Sequence, residues 1–254
     1  MSESSRDAER RRREAAANRM RAAGITPPPA KQRKISPTVY VAAVIGLAVV
    51  VGLGFFLLNR SGGGAGGTVT PSYAVAANAG VITMGNTSAP VTLDIYEDYL
   101  CPACKIFNDR DHDDITTALN EGKIAVRYHP LGFLNSLSSP PGYSTRAANA
   151  ALCAAQAGIF PAYHDKLFAE QPAEGGPGLS DAQLVAFGTE LGAPAGFERC
   201  VTTGPHAADI GAQTKKAISD PNLQTNGTFG TPTVAVGGKK IVIASAGWLA
   251  DVTG

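Results

Sequence analysis

The sequence predicts an α/β domain in which a β-α-β unit and a β-hairpin flank a helical insertion, preceded by a single transmembrane helix. Three observations predict it. Two strand-like runs, 91–96 and 124–128, bracket a segment with apolar residues at helical spacing. An Ala-rich stretch, about 140–219, changes the pattern to helix throughout before strand chemistry returns at 233–244. Twenty residues, 39–58, contain no charge.

Residues 1–38 form a polar tail in which ten Lys/Arg against four Asp/Glu fall within 1–34, a net +6. The formal charge of all 254 residues is +1, so the rest of the chain is net −5 and offers no electrostatic footprint for nucleic acid. A helix over Val39–Leu58 is about 30 Å long, the thickness of a bilayer's hydrocarbon core. The basic tail precedes it, which predicts a cytoplasmic N-terminus and an extracytoplasmic remainder. A cleaved leader is the alternative. The Ala74-Val75-Ala76 site that would serve it lies well past the apolar run. Residues 59–77 are Gly-rich and read as a flexible linker, leaving 78–254 as the folded domain.

Within that domain Val81–Met84 is a short strand and Val91–Tyr96 a stronger one. Lys105–Asn120 carries Ile106, Phe107, Ile115 and Leu119 at helical spacing, and Ile124–Tyr128 is a third strand. Strand, helix and strand within about 40 residues predict a parallel pair. In the insertion, Ser144–Phe168 gives one or two helices with a break near Pro161, Ser180 caps a helix running to Leu191, and His206–Ile218 is another. Thr233–Val236, Gly237-Gly238 and Lys240–Ala244 predict an antiparallel hairpin.

The chemistry concentrates at Cys101-Pro102-Ala103-Cys104, placed where the second strand gives way to the helix. Two cysteines with two residues between them close a small reversible disulfide, and the helix N-terminus favours a thiolate on the first. That is a thiol–disulfide exchange centre. Zinc is the other use of such a pair, but it needs two further ligands, and Cys153 and Cys200 lie far apart with no second CxxC. An even cysteine count suits an oxidising compartment.

The order of elements, the CPAC site and Gly230-Thr231-Pro232-Thr233 together resemble the DsbA-like branch of the thioredoxin superfamily. Ile82-Thr83-Met84-Gly85, Ala89-Pro90-Val91-Thr92 and Tyr96-Glu97-Asp98-Tyr99 resemble its membrane-anchored actinobacterial members. The resemblance spans 78–244 and implies a thioredoxin fold with a helical insertion. It implies that Cys101 is the exposed nucleophile, that Cys104 is the buried resolving thiol, and that Thr231-Pro232 is a cis-proline loop facing the active disulfide. It also implies a structural disulfide between Cys153 and Cys200; the alternative is two buried free thiols. The implied activity is oxidation of cysteines in exported proteins, with no cofactor. The implied partner is a DsbB-type or vitamin K epoxide reductase-type quinone-linked enzyme. A reductase or isomerase on the same scaffold, or a non-catalytic binding module, are the alternatives.

Two departures stand out. Ala103 occupies a position where DsbA-type sites often carry His, so a donor to the thiolate is absent and the expected potential is less oxidising. Only Ser245–Gly254 follow the last predicted strand, which predicts a poorly covered sheet face in place of a long C-terminal helix. Glu97 and Asp98 read as solvated loop acids, with proton relay to Cys104 as the alternative. His112, His129, His164 and His206 show no metal-binding spacing and read as surface or core residues.

Overall fold

The central strand β3 (Val91–Glu97) runs parallel to β4 (Ile124–Pro130), with Leu93 opposite Val126 and Ile95 opposite Tyr128. The connection is helix α1 (Pro102–Asn120). Both strands are mostly buried because both sheet faces are covered, which is why their sequences read as near-continuous apolar runs. In this computed structural model residues 73–244 and 247–254 are described. The basic tail, the span expected at 39–58 and most of the linker lie outside the described residues. Among the described residues, no helix is long and apolar enough to cross a membrane.

The sheet has six strands in the order β1-β2-β4-β3-β5-β6. Strand β2 (Val81–Met84) is antiparallel to β4, and β1 (Val75–Asn78) is antiparallel to β2. Strand β1 falls in residues read from the sequence as linker or as a processing site. A two-residue turn creates it: Ala79 and Gly80 both take positive φ, 47° and 78°, the twist that closes a tight hairpin. Strand β5 (Thr233–Val236) is antiparallel to β3 with Tyr96 opposite Thr233. That register brings Thr231-Pro232, just ahead of β5, to the end of β3 from which α1 departs.

The hairpin partner β6 is shorter than its sequence suggests, covering Lys239–Lys240 in place of 240–244. After Lys240 pairs with Ala235, Ile241 donates one further bond to Val234 O at 2.9 Å. The opposing strand then reaches Pro232, which has no N–H to continue the ladder.

The insertion holds α2 (Tyr143–Gln156), α3 (Phe160–Ala169), α4 (Asp181–Glu190), α5 (Phe197–Thr203) and α6 (Ala207–Ser219). Helix α2 is buried along most of its length. Its alanines 147, 148, 150, 151 and 154 are fully covered, and so small a helix surface admits close neighbours on several sides. The break expected near Pro161 lies before it: α2 ends at Gln156, Gly158 turns at φ +75°, and Pro161 sits in the first turn of α3. Ser180 caps α4 with a full capping box to Gln183. Helix α5 had no clear signature, being seven residues between two glycines of positive φ.

The C-terminal segment, expected to leave one sheet face poorly covered, forms a short helix, α7 (Trp248–Thr253). Trp248 is buried against Phe107, with ring centroids 6.2 Å apart, and its Nε1–H donates to Asp111 Oδ1 at 3.1 Å. One large side chain thus seats the C-terminal segment on α1.

A disulfide joins Cys153 of α2 to Cys200 of α5 across 47 residues. The side chain of Asn149 reinforces the same junction, donating to Cys200 O at 3.3 Å and Val201 O at 3.2 Å and accepting from His206 N at 3.2 Å. Closing a loop of that length removes about 4 kcal/mol of entropy from the unfolded chain. The Cys153→Ala/Cys200→Ala double variant is therefore expected to be a few kcal/mol less stable in urea unfolding followed by circular dichroism.

Candidate functional site

Helix α1 begins at the motif itself. Cys101 is the N-cap residue, with extended φ −75° and ψ 115°, and Pro102 occupies the first turn, where a missing N–H costs nothing. The Cys101 carbonyl accepts the first helical bonds, from Cys104 N at 3.0 Å and Lys105 N at 3.3 Å. Its N–H donates back to Asp98 O at 3.0 Å. Cys104, one turn on, faces the core and is 1% exposed. Both cysteines are free thiols.

The Thr231-Pro232 peptide is cis, and Cys101 Sγ donates to Thr231 O at 3.3 Å. The fold thus brings together Cys101, Cys104, Thr231 and Pro232, which are separated by up to 131 positions in sequence. Cys153 and Cys200 belong to the insertion and pair with each other. Cys101 differs from the exposed residue expected: it is 7% exposed, with its sulfur against the cis-proline loop at Thr231 O.

The two thiols are set apart electrostatically. Hydrogen bonding by Cys104, and then by Thr231 and the backbone of Cys104 and Ala103, outweighs burial and brings the Cys101 thiol down to about 6. Burial pushes Cys104 well above the ordinary thiol range, and its hydrogen bond to Cys101 adds to this. One sulfur is poised as thiolate and the other holds its proton.

The acids before the motif are not solvated. Glu97 is 2% exposed and Asp98 is fully buried. Asp98 accepts from Leu100 N through Oδ1 and from Leu134 N through Oδ2, each at 2.8 Å. Burial raises its carboxyl to about 6, against the pull of those two N–H groups. Glu97 pairs with His164 of α3, 3.0 Å from Oε1 to Nε2. His164 packs edge-on against Tyr99, Phe160 and Phe168. Burial alone would lower its pKa, but Glu97 and Asp165 raise it to about 9. His129 is likewise buried, against Asp94 at 2.9 Å. Among the described residues, the group with metal-ligand spacing is Cys153, Cys200 and His206, whose two sulfurs are bonded to each other.

Sequence reasoning missed Gln171, whose Nε2 donates to Tyr99 O at 3.1 Å and to Cys101 O at 3.0 Å. It also missed Leu134 and His164 as partners of the two acids. All three lie at least 36 residues from the groups they meet, and no local pattern marks them.

The chain is similar to known proteins. The chain belongs to the thioredoxin family, whose model, described as Thioredoxin, matches residues 77–249. Within that family it is of the DsbA-like class of protein disulfide oxidoreductases. Reduced DsbA of Mycobacterium tuberculosis is 27% identical and superposes with a TM-score of 0.58, covering 71% of this chain and 90% of that one. MdbA of Corynebacterium diphtheriae, a thiol-disulfide oxidoreductase, is 25% identical with a TM-score of 0.60, covering 71% and 93%. The serine/threonine-protein kinase PknE of M. tuberculosis is 34% identical over 184 residues, 70% of this chain. The match spans about a third of the kinase, 32% of its length.

The buried Glu97–His164 pair generates a pH dependence with a definite sign. The histidine's folded pKa, about 9, lies above its ordinary 6.5. Its contribution is therefore complete below about 6.5 and lost as pH rises through 9. Cys101, lowered to about 6, acts in the opposite sense as a dithiol, so the measurement uses the chain with Cys101 and Cys104 oxidised. Urea-unfolding free energy is expected to fall between pH 6.5 and 9, and the His164→Phe/Glu97→Gln double variant should show a shallower slope, the remainder coming from His112, which Asp165 also raises.

Proposed function

We propose that this chain is a membrane-tethered, extracytoplasmic enzyme that oxidises cysteine pairs in exported proteins through a Cys101–Cys104 disulfide. The observation that carries the reading is the pair of unlike thiols at one helix end, beside the cis Thr231-Pro232 carbonyl. The uncharged run at 39–58 after a basic tail supports the tether and the direction of export. The likeness to MdbA, a thiol-disulfide oxidoreductase, supports the chemistry.

In the oxidised enzyme, a substrate thiolate attacks Cys101 Sγ. A substrate–Cys101 bond forms, the Cys101–Cys104 bond breaks, and Cys104 leaves as a thiolate that takes up a proton. A second substrate thiolate then attacks the substrate sulfur of the mixed disulfide. Cys101 leaves as thiolate, and two electrons have passed from substrate to enzyme. A low pKa makes Cys101 a good leaving group and stabilises the reduced enzyme, which favours oxidation of the substrate. Reoxidation falls to a membrane enzyme of DsbB or vitamin K epoxide reductase type linked to quinone. Thr231 and Pro232 border the groove in which the substrate strand lies.

One observation favours a second reading. Ala103 is exposed and its side chain adds no donor to the Cys101 thiolate beyond the backbone N–H, which weakens the oxidising drive and suits a reductase or isomerase. The reduction potential of the pair separates the two.

Cys104→Ala is expected to accumulate covalent adducts with exported thiol proteins at Cys101, whereas Cys101→Ala accumulates none, as read on non-reducing gels. Adducts in the second variant and none in the first would invert the roles. A reporter active only outside the membrane, fused after Gly254, is expected to be active; activity only of a cytoplasmic reporter would sink the extracytoplasmic reading.

A further inference from the structure

Helix α3 reaches the active turn through three side chains spaced i, i+4 and i+7. His164 pairs with Glu97 at 3.0 Å, Phe168 packs on Tyr99 with centroids 5.0 Å apart, and Gln171, two residues past the helix, bonds Tyr99 O and Cys101 O. Their partners, Glu97, Tyr99 and Cys101, alternate along the chain that leaves β3. One helix face thus meets every second residue of the approach to the motif, a match of the 3.6- and 2-residue periods.

Gln171 touches the reactive residue most directly. Both of its partners are carbonyl oxygens, which only accept, so the amide must present its two N–H groups and the orientation of the side chain is fixed. Gln171 is half-buried, and its own backbone N–H bonds Phe168 O at 3.3 Å, which extends the α3 turn up to the contact. The Cys101 carbonyl accepts from Cys104 N, Lys105 N and Gln171 Nε2 together, so the same oxygen that starts α1 is also tied to the insertion.

We propose that Gln171 is a positioning residue for Cys101: the insertion holds the reactive cysteine by its carbonyl and so keeps its sulfur against Thr231 O and the first amides of α1. The bond count favours this over a merely structural role. Gln171 spends both donors on the two carbonyls that flank Leu100 in the turn leading into the motif. Without Gln171 the Cys101 carbonyl keeps only its bonds from Cys104 N and Lys105 N, and the N-cap torsion relaxes and carries Sγ away from the first amides of α1. The inference rests on the proposed exchange function for its purpose, but its geometry can be tested without it.

The test is the pH profile of Cys101 alkylation by iodoacetamide in the full chain, with Cys101 and Cys104 reduced, Cys153–Cys200 intact, and Cys101 followed by peptide mass spectrometry. Gln171→Met keeps the volume and removes both donors; as the sulfur shifts from the first amides of α1, which stabilise the thiolate more than the thiol, the Cys101 thiol is expected to become roughly tenfold less acidic, about one pKa unit. Gln171→Glu keeps the shape but turns a carboxylate toward two carbonyls and the thiolate, and the loss of acidity should exceed that of Gln171→Met. Profiles of both variants that overlay the parent's overturn the proposal, as does a larger effect from Met than from Glu. Should Gln171→Glu fail to fold, the Gln171→Met profile decides alone. Oxidation of a dithiol peptide by the parent chain is measured alongside. Failure there removes the proposed function, while the alkylation profiles still judge the role of Gln171.

Discussion

A single buried carboxylate joins the two loops from which the active turn is made. Asp98 lies where β3 ends, and Leu134 lies a few residues past the end of the parallel strand β4. One side chain accepts from both Leu100 N and Leu134 N, beyond the backbone bond from Leu131 N to Glu97 O at 2.8 Å. Without it, two N–H groups would be buried unpaired, at a cost of roughly 1–3 kcal/mol each. The turn would then lose a tie that sets its height above the sheet. The N-cap of α1 and the meeting of Cys101 with Thr231 O both rest on that height, as does the reach of Gln171 to Cys101.

Burying Asp98 and Glu97 so close to the motif is expensive, and the protein offsets the expense in two ways. Asp98 is given backbone donors and has a raised pKa, whereas Glu97 is given a histidine from the insertion. Breaking one side of a buried pair leaves a charge stranded, which costs more than the pair's net worth. The thioredoxin-like core and the helical insertion therefore hold each other by polar contacts at the site and by apolar packing elsewhere. The same low dielectric separates the two thiols. Cys101 meets donors at a helix end, whereas Cys104 meets mainly apolar neighbours.

What the sequence disclosed was local. Val91–Tyr96 and Ile124–Tyr128 were legible because buried parallel strands are runs of β-branched and apolar residues, and Ser180 because a capping box is four residues long. Cys101 and Cys104 were legible as spacing. Thr231-Pro232 stood out only through the resemblance, since nothing in a Thr-Pro pair says which strand end it will face. Glu97 and Asp98 were misread as solvated because what covers them comes from Leu134 and His164, 36 and 67 residues away. Strand β6 was overextended because its limit is set by Pro232 on the opposite strand. Gln171 carries no local signal at all; its meaning exists only once α3 has docked.

Trp248 is the only tryptophan among the 254 residues. It is 3% exposed and hydrogen-bonded through its indole N–H to Asp111, on the same helix that starts at Cys101. The chain therefore contains a native fluorophore at a single defined place. Its emission, set by the polarity around the indole, reports on the seam between α1 and the C-terminal segment without any label.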